Sequence, residues 1–169
     1  MTYSAKLTLA AAIFAVSTTG GLADPQPEGA KKAPPQQVAN FYAGKTQFWS
    51  TCNGGGIYYD GGWEARAYCN NRSESVGLGT WSISKNGRIC HDLTWYWKDG
   101  DGSVKSDDKP VSDRNCDDIV LAPDGTLWAR WVHQKTDSNA WWRLNTSDSI
   151  KTGNKLKGKI KRTRRKLGV

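Results

Sequence analysis

The chain has 169 residues, 37% of them hydrophobic and 24% charged, with a net charge of +8. That length suits one domain and excludes two comfortable ones, the apolar fraction excludes wholesale disorder, and no apolar run is long enough to read as a membrane-spanning helix. Eighteen glycines without a triplet period exclude collagen, and nine Trp are many for so short a chain.

Residues 1–23 have the three-part order of an export signal. Lys6 supplies the positive start, Leu7 to Val16 form the apolar stretch, and Gly21-Leu22-Ala23 offers small residues for cleavage before Asp24. The expected location is therefore periplasmic or secreted. Residues 24–37 carry four of the six prolines, Pro25, Pro27, Pro34 and Pro35, and predict an extended, disordered Pro-rich linker.

Residues 38–150 predict an all-β domain. Turn signals recur about every eight to twelve residues, among them Asn53-Gly54-Gly55-Gly56, Asp60-Gly61-Gly62, Asn86-Gly87, Asp99-Gly100-Asp101-Gly102 and Pro123-Asp124-Gly125. After one helical turn over Val38–Ala43, strands are expected near Thr46–Thr51, Ile57–Asp60, Trp63–Cys69, Thr80–Ser84, Arg88–Trp97, Asp118–Leu121, Thr126–His133 and Trp141–Leu144. Asn86-Gly87 fits a type I′ hairpin, since both residues tolerate positive φ. Alternation supports the strands: Trp63, Ala65, Ala67 and Cys69 share one face, as do Ile89, His91, Leu93, Trp95 and Trp97, and Leu127, Ala129 and Trp131. About eight antiparallel strands in chain order predict a meander closed or half-closed as a small barrel, with a two-sheet sandwich as the alternative.

Cys52, Cys69, Cys90 and Cys116 form an even set in an exported chain, which reads as two disulfides. Of the three pairings, Cys52–Cys69 with Cys90–Cys116 is favoured because each closes a short loop between neighbouring strands. A zinc site is the weaker reading, since no Cys-x-x-Cys pair exists.

Trp128 and Trp131 must point to opposite faces of their strand, and so must the adjacent Trp141 and Trp142. A small barrel cannot bury them all, so some lie on the surface or line an opening. Flat rings with usable N–H groups suit sugars, bases or lipid. Trp95, Trp97, Trp128, Trp131, Trp141 and Trp142 are the candidate ligand-binding residues.

Nine basic residues and no acid fill residues 151–169, which leaves 15 basic against 16 acidic residues in 1–150. The basicity thus belongs to a tail and not to the domain. Lys155, Lys157, Lys159, Lys161, Arg162, Arg164, Arg165 and Lys166 are its candidate electrostatic contacts. The tail has three readings: a free polycationic arm, an edge strand, or a basic amphipathic helix with Leu156, Ile160 and Leu167 on one face, against which Gly153 and Gly158 count.

Several short motifs carry a resemblance. Asn40-Phe41-Tyr42-Ala43-Gly44-Lys45-Thr46 with Trp49, the Gly-rich Tyr-Tyr-Asp-Gly stretch ending at Gly61, Gly79-Thr80-Trp81, Gly87-Arg88-Ile89-Cys90 and Cys116 together resemble a family of small exported bacterial proteins known only as a domain of unknown function. The likeness runs from about Val38 to Trp142, with Cys52, Cys69 and the basic tail outside the pattern. It implies an envelope or secreted location and transfers no activity. The Gly-x-Trp element also resembles the start motif of lipocalins, but here it stands mid-chain.

Catalytic signals are sparse. His91 and His133 lack a nucleophile-elbow Ser. Glu64, Glu74, Asp60 and Asp92 are the carboxylates that a glycosidase would need in pairs. The acidic stretch Asp99, Asp101, Asp107, Asp108 and Asp113 lacks the EF-hand order. No cofactor and no metal are expected. The leading expectation is a non-enzymatic envelope binding module whose partner is a glycan or anionic envelope polymer, with an anionic membrane surface as a further partner of the tail. An envelope hydrolase or hydrolase inhibitor is one alternative. A tail-driven nucleic-acid or host-surface binder is the other, with nucleic acid the less available partner outside the cytoplasm.

Overall fold

The structure, a computed structural model, describes residues 24–107, 115–132 and 140–169. In chain order the elements are β1 (Lys31–Lys32), α1 (Pro35–Tyr42), β2 (Lys45–Phe48), a 3-10 turn (Ser50–Cys52), β3 (Gly56–Tyr59), β4 (Glu64–Asn70), β5 (Glu74–Ile83), β6 (Ile89–Lys98), β7 (Val104–Ser106), β8 (Asn115–Leu121), β9 (Leu127–Trp131), β10 (Trp142–Arg143), β11 (Ile150–Thr152) and α2 (Lys157–Leu167). The proposed export signal lies outside the described residues, as do His133, Asp108 and Asp113.

The strands form one antiparallel sheet in the order β10-β9-β8-β6-β5-β4-β3-β2-β11, with β1 on β8 and β7 on β6. From β2 to β10 it is the expected meander. β10 and β11 hold opposite edges, yet only residues 144–149 join them. Nine strands laid flat would span about 40 Å, whereas that connection reaches at most about 25 Å. The sheet must therefore curl, and it does so into a half-barrel.

Alternation places the core. Ile57, Tyr59, Ala65, Ala67, Ile89, Leu93, Ile119, Leu127 and Ala129 turn inward and are buried. Val38 and Tyr42 of α1 join them inside the curl. Two glycines let the sheet close tightly. A Cβ at Gly79 would lie 1.9 Å from the Asp92 carbonyl oxygen, and one at Gly77 would lie 3.1 Å from the Trp95 ring. These same glycines hid the first half of β5, which begins at Glu74 and not near Thr80, because glycine lowers strand propensity.

Two expectations need correction, and the open choice for the tail is decided. The Pro-rich segment is part of the fold: Asp24 bridges to Trp141, Lys31–Lys32 pairs with β8, and Pro35 opens α1, where its missing N–H is no loss. Of the three readings of the basic tail, the helix is the one that forms: Lys151 and Thr152 pair with β2, and α2 with the residue before it lays Leu156, Ile160 and Leu167 on the outer sheet face against Tyr68 and Val76. At Asn86-Gly87 only Gly87 has positive φ, 74°. Gly87 N–H donates to Ser84 O and Ser84 N–H to Arg88 O, the bonding of a three-residue loop and not of a two-residue type I′ turn.

Both favoured disulfides form, Cys52–Cys69 and Cys90–Cys116. The first ties the 3-10 turn to β4, and the second links directly opposed residues of β6 and β8. Replacing Cys90 and Cys116 together by Ala is expected to lower stability by about 3 kcal/mol, the loop-closure value for this separation. Urea denaturation of the double variant checks this, and an unchanged midpoint would contradict it.

Candidate ligand-binding cavity

Inside the open half of the curl lies a cavity of ≈ 690 Å³, a size typical of small-molecule sites. The parity that builds the core also builds its walls. Gln47 of β2, Tyr59 of β3, His91, Leu93 and Trp95 of β6, and Asn115 and Asp117 of β8 all face inward around it. Trp131 ends β9 at the mouth and is 53% exposed. Trp142, Ser147 and Ser149 close the wall from β10 and the crossover to β11.

The apolar wall is aromatic. Trp49, just past β2, lies with its ring 6.2 Å from that of Trp95 and 6.0 Å from that of His91. Polar groups stand between the rings. The Tyr59 hydroxyl donates to Gln47 Oε1 (2.8 Å), the Trp95 backbone N–H donates to Asp107 Oδ1 (2.5 Å), and the Ser147 and Ser149 hydroxyls are 2.5 Å apart. Among the described residues, no Lys or Arg lines the cavity.

Asp117 is the distinctive group. It stands directly opposite Trp131 on one side and Ile89 on the other. It is half-buried, enclosed by protein on most sides with part of its surface open to the cavity. Burial pushes its carboxyl up to about 7, a hydrogen bond from Gln47 works against this, and the neighbouring Asp118 adds to it. Burial first, and then the charge of Asp117, drive the Tyr42 and Tyr59 phenols well above their ordinary range. The buried Tyr42 hydroxyl has no hydrogen-bond partner.

Of the six candidate tryptophans, the fold brings Trp95, Trp131 and Trp142 to this cavity. Trp97 lies two residues further along β6, opposite Ser75 and Lys105. Trp128 faces the other side, under Arg143 at 5.3 Å, and Trp141 is buried beneath Arg130 at 5.1 Å. Sequence reasoning passed over Trp49 and Asp117 as site residues. The signal for Asp117 was its parity: it shares a face with Ile119 and Leu121, where an apolar side chain is the norm.

The carboxylates considered for hydrolysis do not gather. Glu64 pairs with Arg66, Glu74 pairs with Lys166 of α2 (2.6 Å), Asp60 accepts turn N–H groups, and Asp92 is exposed. Asp99 and Asp101 likewise accept the N–H groups of Gly100 and Ser103 in the β6–β7 turn. No described trio of His, Cys, Asp or Glu is arranged to hold a metal ion.

α2 places its cations along the outer face. Lys166 meets Glu74, and Lys159 donates to the Gly54 carbonyl (2.8 Å) over the Tyr68 ring. Lys155, Lys157, Lys161, Arg162, Arg164 and Arg165 are exposed.

Comparison with known proteins adds one match. Residues 6–157 match the family model described as protein of unknown function (DUF995). No curated protein and no solved structure matches the chain.

Proposed function

The chain belongs to the DUF995 family of proteins of unknown function, and from the chemistry of its cavity we propose that it is an exported, non-enzymatic binding module of the bacterial envelope. The ligand is a small polar ring compound of the glycan type, held in the half-barrel. The observation that carries this reading is the conjunction of the Trp49, Trp95, Trp131 and Trp142 rings with interleaved amide, hydroxyl and carboxylate groups around one open cavity. Indole faces stack on sugar C–H surfaces while such polar groups bind ring hydroxyls. Two disulfides suit an oxidising compartment, which supports a periplasmic or secreted location.

α2 supports a second, separable contribution. Its apolar side is already spent on the sheet, so it cannot sink into a bilayer as a free amphipathic helix would. Its exposed cations act on anionic polymer or headgroup surfaces by screened attraction alone.

Intrinsic Trp fluorescence, followed while envelope oligosaccharides are titrated in, tests the reading. Trp131→Ala is expected to weaken saturable binding about tenfold. Replacing Lys157, Lys161, Arg162 and Arg165 by Gln should leave that affinity alone while reducing salt-sensitive retention on lipopolysaccharide. Saturable binding that survives Trp131→Ala but vanishes in the Gln variant would move the function to α2 and favour a polyanion binder.

A further inference from the structure

The chain carries 24 Lys and Arg, and its net charge alone would suggest an anionic ligand. The cavity has the opposite sign. Its charged lining consists of Asp107 and Asp117, with His91 the one basic side chain among the described lining residues. Among the described residues, cations gather instead on α2 and, as Arg88 and Arg130, around the outward-facing Asp118.

The sorting is sharpest between two adjacent residues. Asp118 points outward and takes both nearby arginines, Arg88 at 2.5 Å and Arg130 at 2.7 Å. Asp117, one residue back, points inward and has no Lys or Arg partner among the described residues. A carboxylate so largely enclosed by protein is ordinarily paired. Opposite it stands Trp131, at a separation of about 5 Å between Cβ atoms for such cross-strand pairs. The Trp49 and Trp95 rings complete the wall. Indole faces attract cations, and most strongly where water is excluded. An acid together with several indole faces around one opening is the recognition chemistry of an ammonium group.

We propose that the cavity contains an ammonium subsite, in which Asp117 and the rings of Trp49, Trp95 and Trp131 bind the cationic nitrogen of an amino sugar or a free amine. This rests on the cavity being the binding site, and it replaces an anionic ligand by a cationic one there. The ligand then supplies the countercharge that no described Lys or Arg gives Asp117.

The groups that bear on Asp117 are known. His91 of β6 lines the same cavity, Asp107 follows β7, Tyr59 of β3 and Tyr42 of α1 face it from the interior, Gln47 of β2 bonds to it, and Asp118 adjoins it. Protonation of Asp117 and of His91 both oppose cation binding. A change at Asp117 is therefore needed to separate them.

The test uses the mature protein with a matched pair of sugars, a glucosamine tetramer and its fully N-acetylated counterpart, plus choline as a free cation whose charge does not vary with pH. Fluorescence and calorimetry read the affinities. Glucosamine tetramer is expected to bind at least about tenfold more tightly than the acetylated tetramer, and Asp117→Asn to abolish that preference by weakening the glucosamine tetramer far more than the acetylated one. Choline affinity should rise about tenfold from about pH 6 to about pH 8 in the wild type, and much less in Asp117→Asn. Binding of choline but not of the glucosamine tetramer identifies a free amine as the source, and binding of both identifies a site that admits an amino sugar. Equal affinity for the two tetramers, or a cation preference that persists in Asp117→Asn, overturns the ammonium subsite and leaves the cavity reading standing. If no sugar or amine binds, or if those that bind do so equally well in Trp131→Ala, the cavity reading falls and the subsite falls with it.

Discussion

A chain ending at Ile150 is expected to lose its native fold, not merely its positive charge. The cut removes Leu156, Ile160 and Leu167, all buried, and uncovers Tyr68 and Val76 together with the flanks of Phe48, Leu78 and Tyr96. Burying three aliphatic side chains of this size is worth about 5 to 8 kcal/mol. It also strands Thr46, which is fully buried. Its hydroxyl donates to the Gly153 carbonyl (2.7 Å) and accepts from the Lys155 N–H (3.0 Å), and a buried hydroxyl without partners costs about 1 to 3 kcal/mol more. β2 loses its outer neighbour β11 at Lys151 and Thr152 and becomes a bare edge. These losses are comparable with the whole stability of a domain this size, about 5 to 15 kcal/mol. Circular dichroism on heating should therefore show no cooperative transition in the truncated chain. The full-length variant with Lys157, Lys161, Arg162 and Arg165 changed to Gln should melt close to the wild type. A truncated chain with a native-like transition would mean that α2 is an appendage after all.

α2 also shows where the sequence stops being legible. The spacing of Leu156, Ile160 and Leu167 marks one helix face, but α2 itself has a glycine, seven cations and no acid. Isolated, a segment of 11 residues is too short to hold a helix, and its like charges repel one another. It folds because the outer sheet face offers Tyr68 and Val76 as a floor and Glu74 as an anchor for Lys166, and that floor exists only once β4 and β5 are paired. Tertiary packing therefore overrides local preference. The same holds at the other end of the domain. Pro34 and Pro35 read as a linker signal, yet Pro35 sits at the first helical position, and Val38 and Tyr42 behind it fill the inside of the curl. The strands, by contrast, were readable wherever period-two alternation ran unbroken, as in Ile89 to Trp97 or Leu127 to Trp131. Half of the cavity followed from the same parity, since Trp95 and Trp131 lie on the faces their alternation gave them. The other half depends on closure. Trp49 and the Ser147–Ser149 segment reach the cavity only because residues 144–149 draw the two sheet edges together, a distance that no local pattern encodes.

Asp117→Asn is expected to stabilise the protein above neutral pH by about 2 to 4 kcal/mol, even as it removes the cation preference of the cavity. The sign follows from the two states of the carboxyl. In the unfolded chain it ionises near its ordinary value of 3.8, and in the fold burial holds it up to about 7. Between those values the folded protein keeps a proton that the unfolded chain has released, so stability falls as pH rises from about 4 to about 7 and levels off beyond. Asn cannot ionise and escapes that loss. Its side-chain oxygen can still accept from Gln47. The gain should therefore be absent at about pH 4 and full at about pH 8, and water reaching the cavity places it below the limit set by the shift alone. Urea denaturation of both proteins across this range isolates the term, because every other titrating group is shared. A difference that does not grow with pH would mean that Asp117 is already neutralised by a partner in the fold, and the reason for expecting a cation to bind beside it would go as well. If the difference appears, a saturating quaternary ammonium ligand should shrink it, since the ligand provides in the wild type the opposite charge that Asn makes unnecessary. A buried carboxylate that weakens the empty protein and is stabilised by its ligand is the expected signature of a group retained for binding and not for folding.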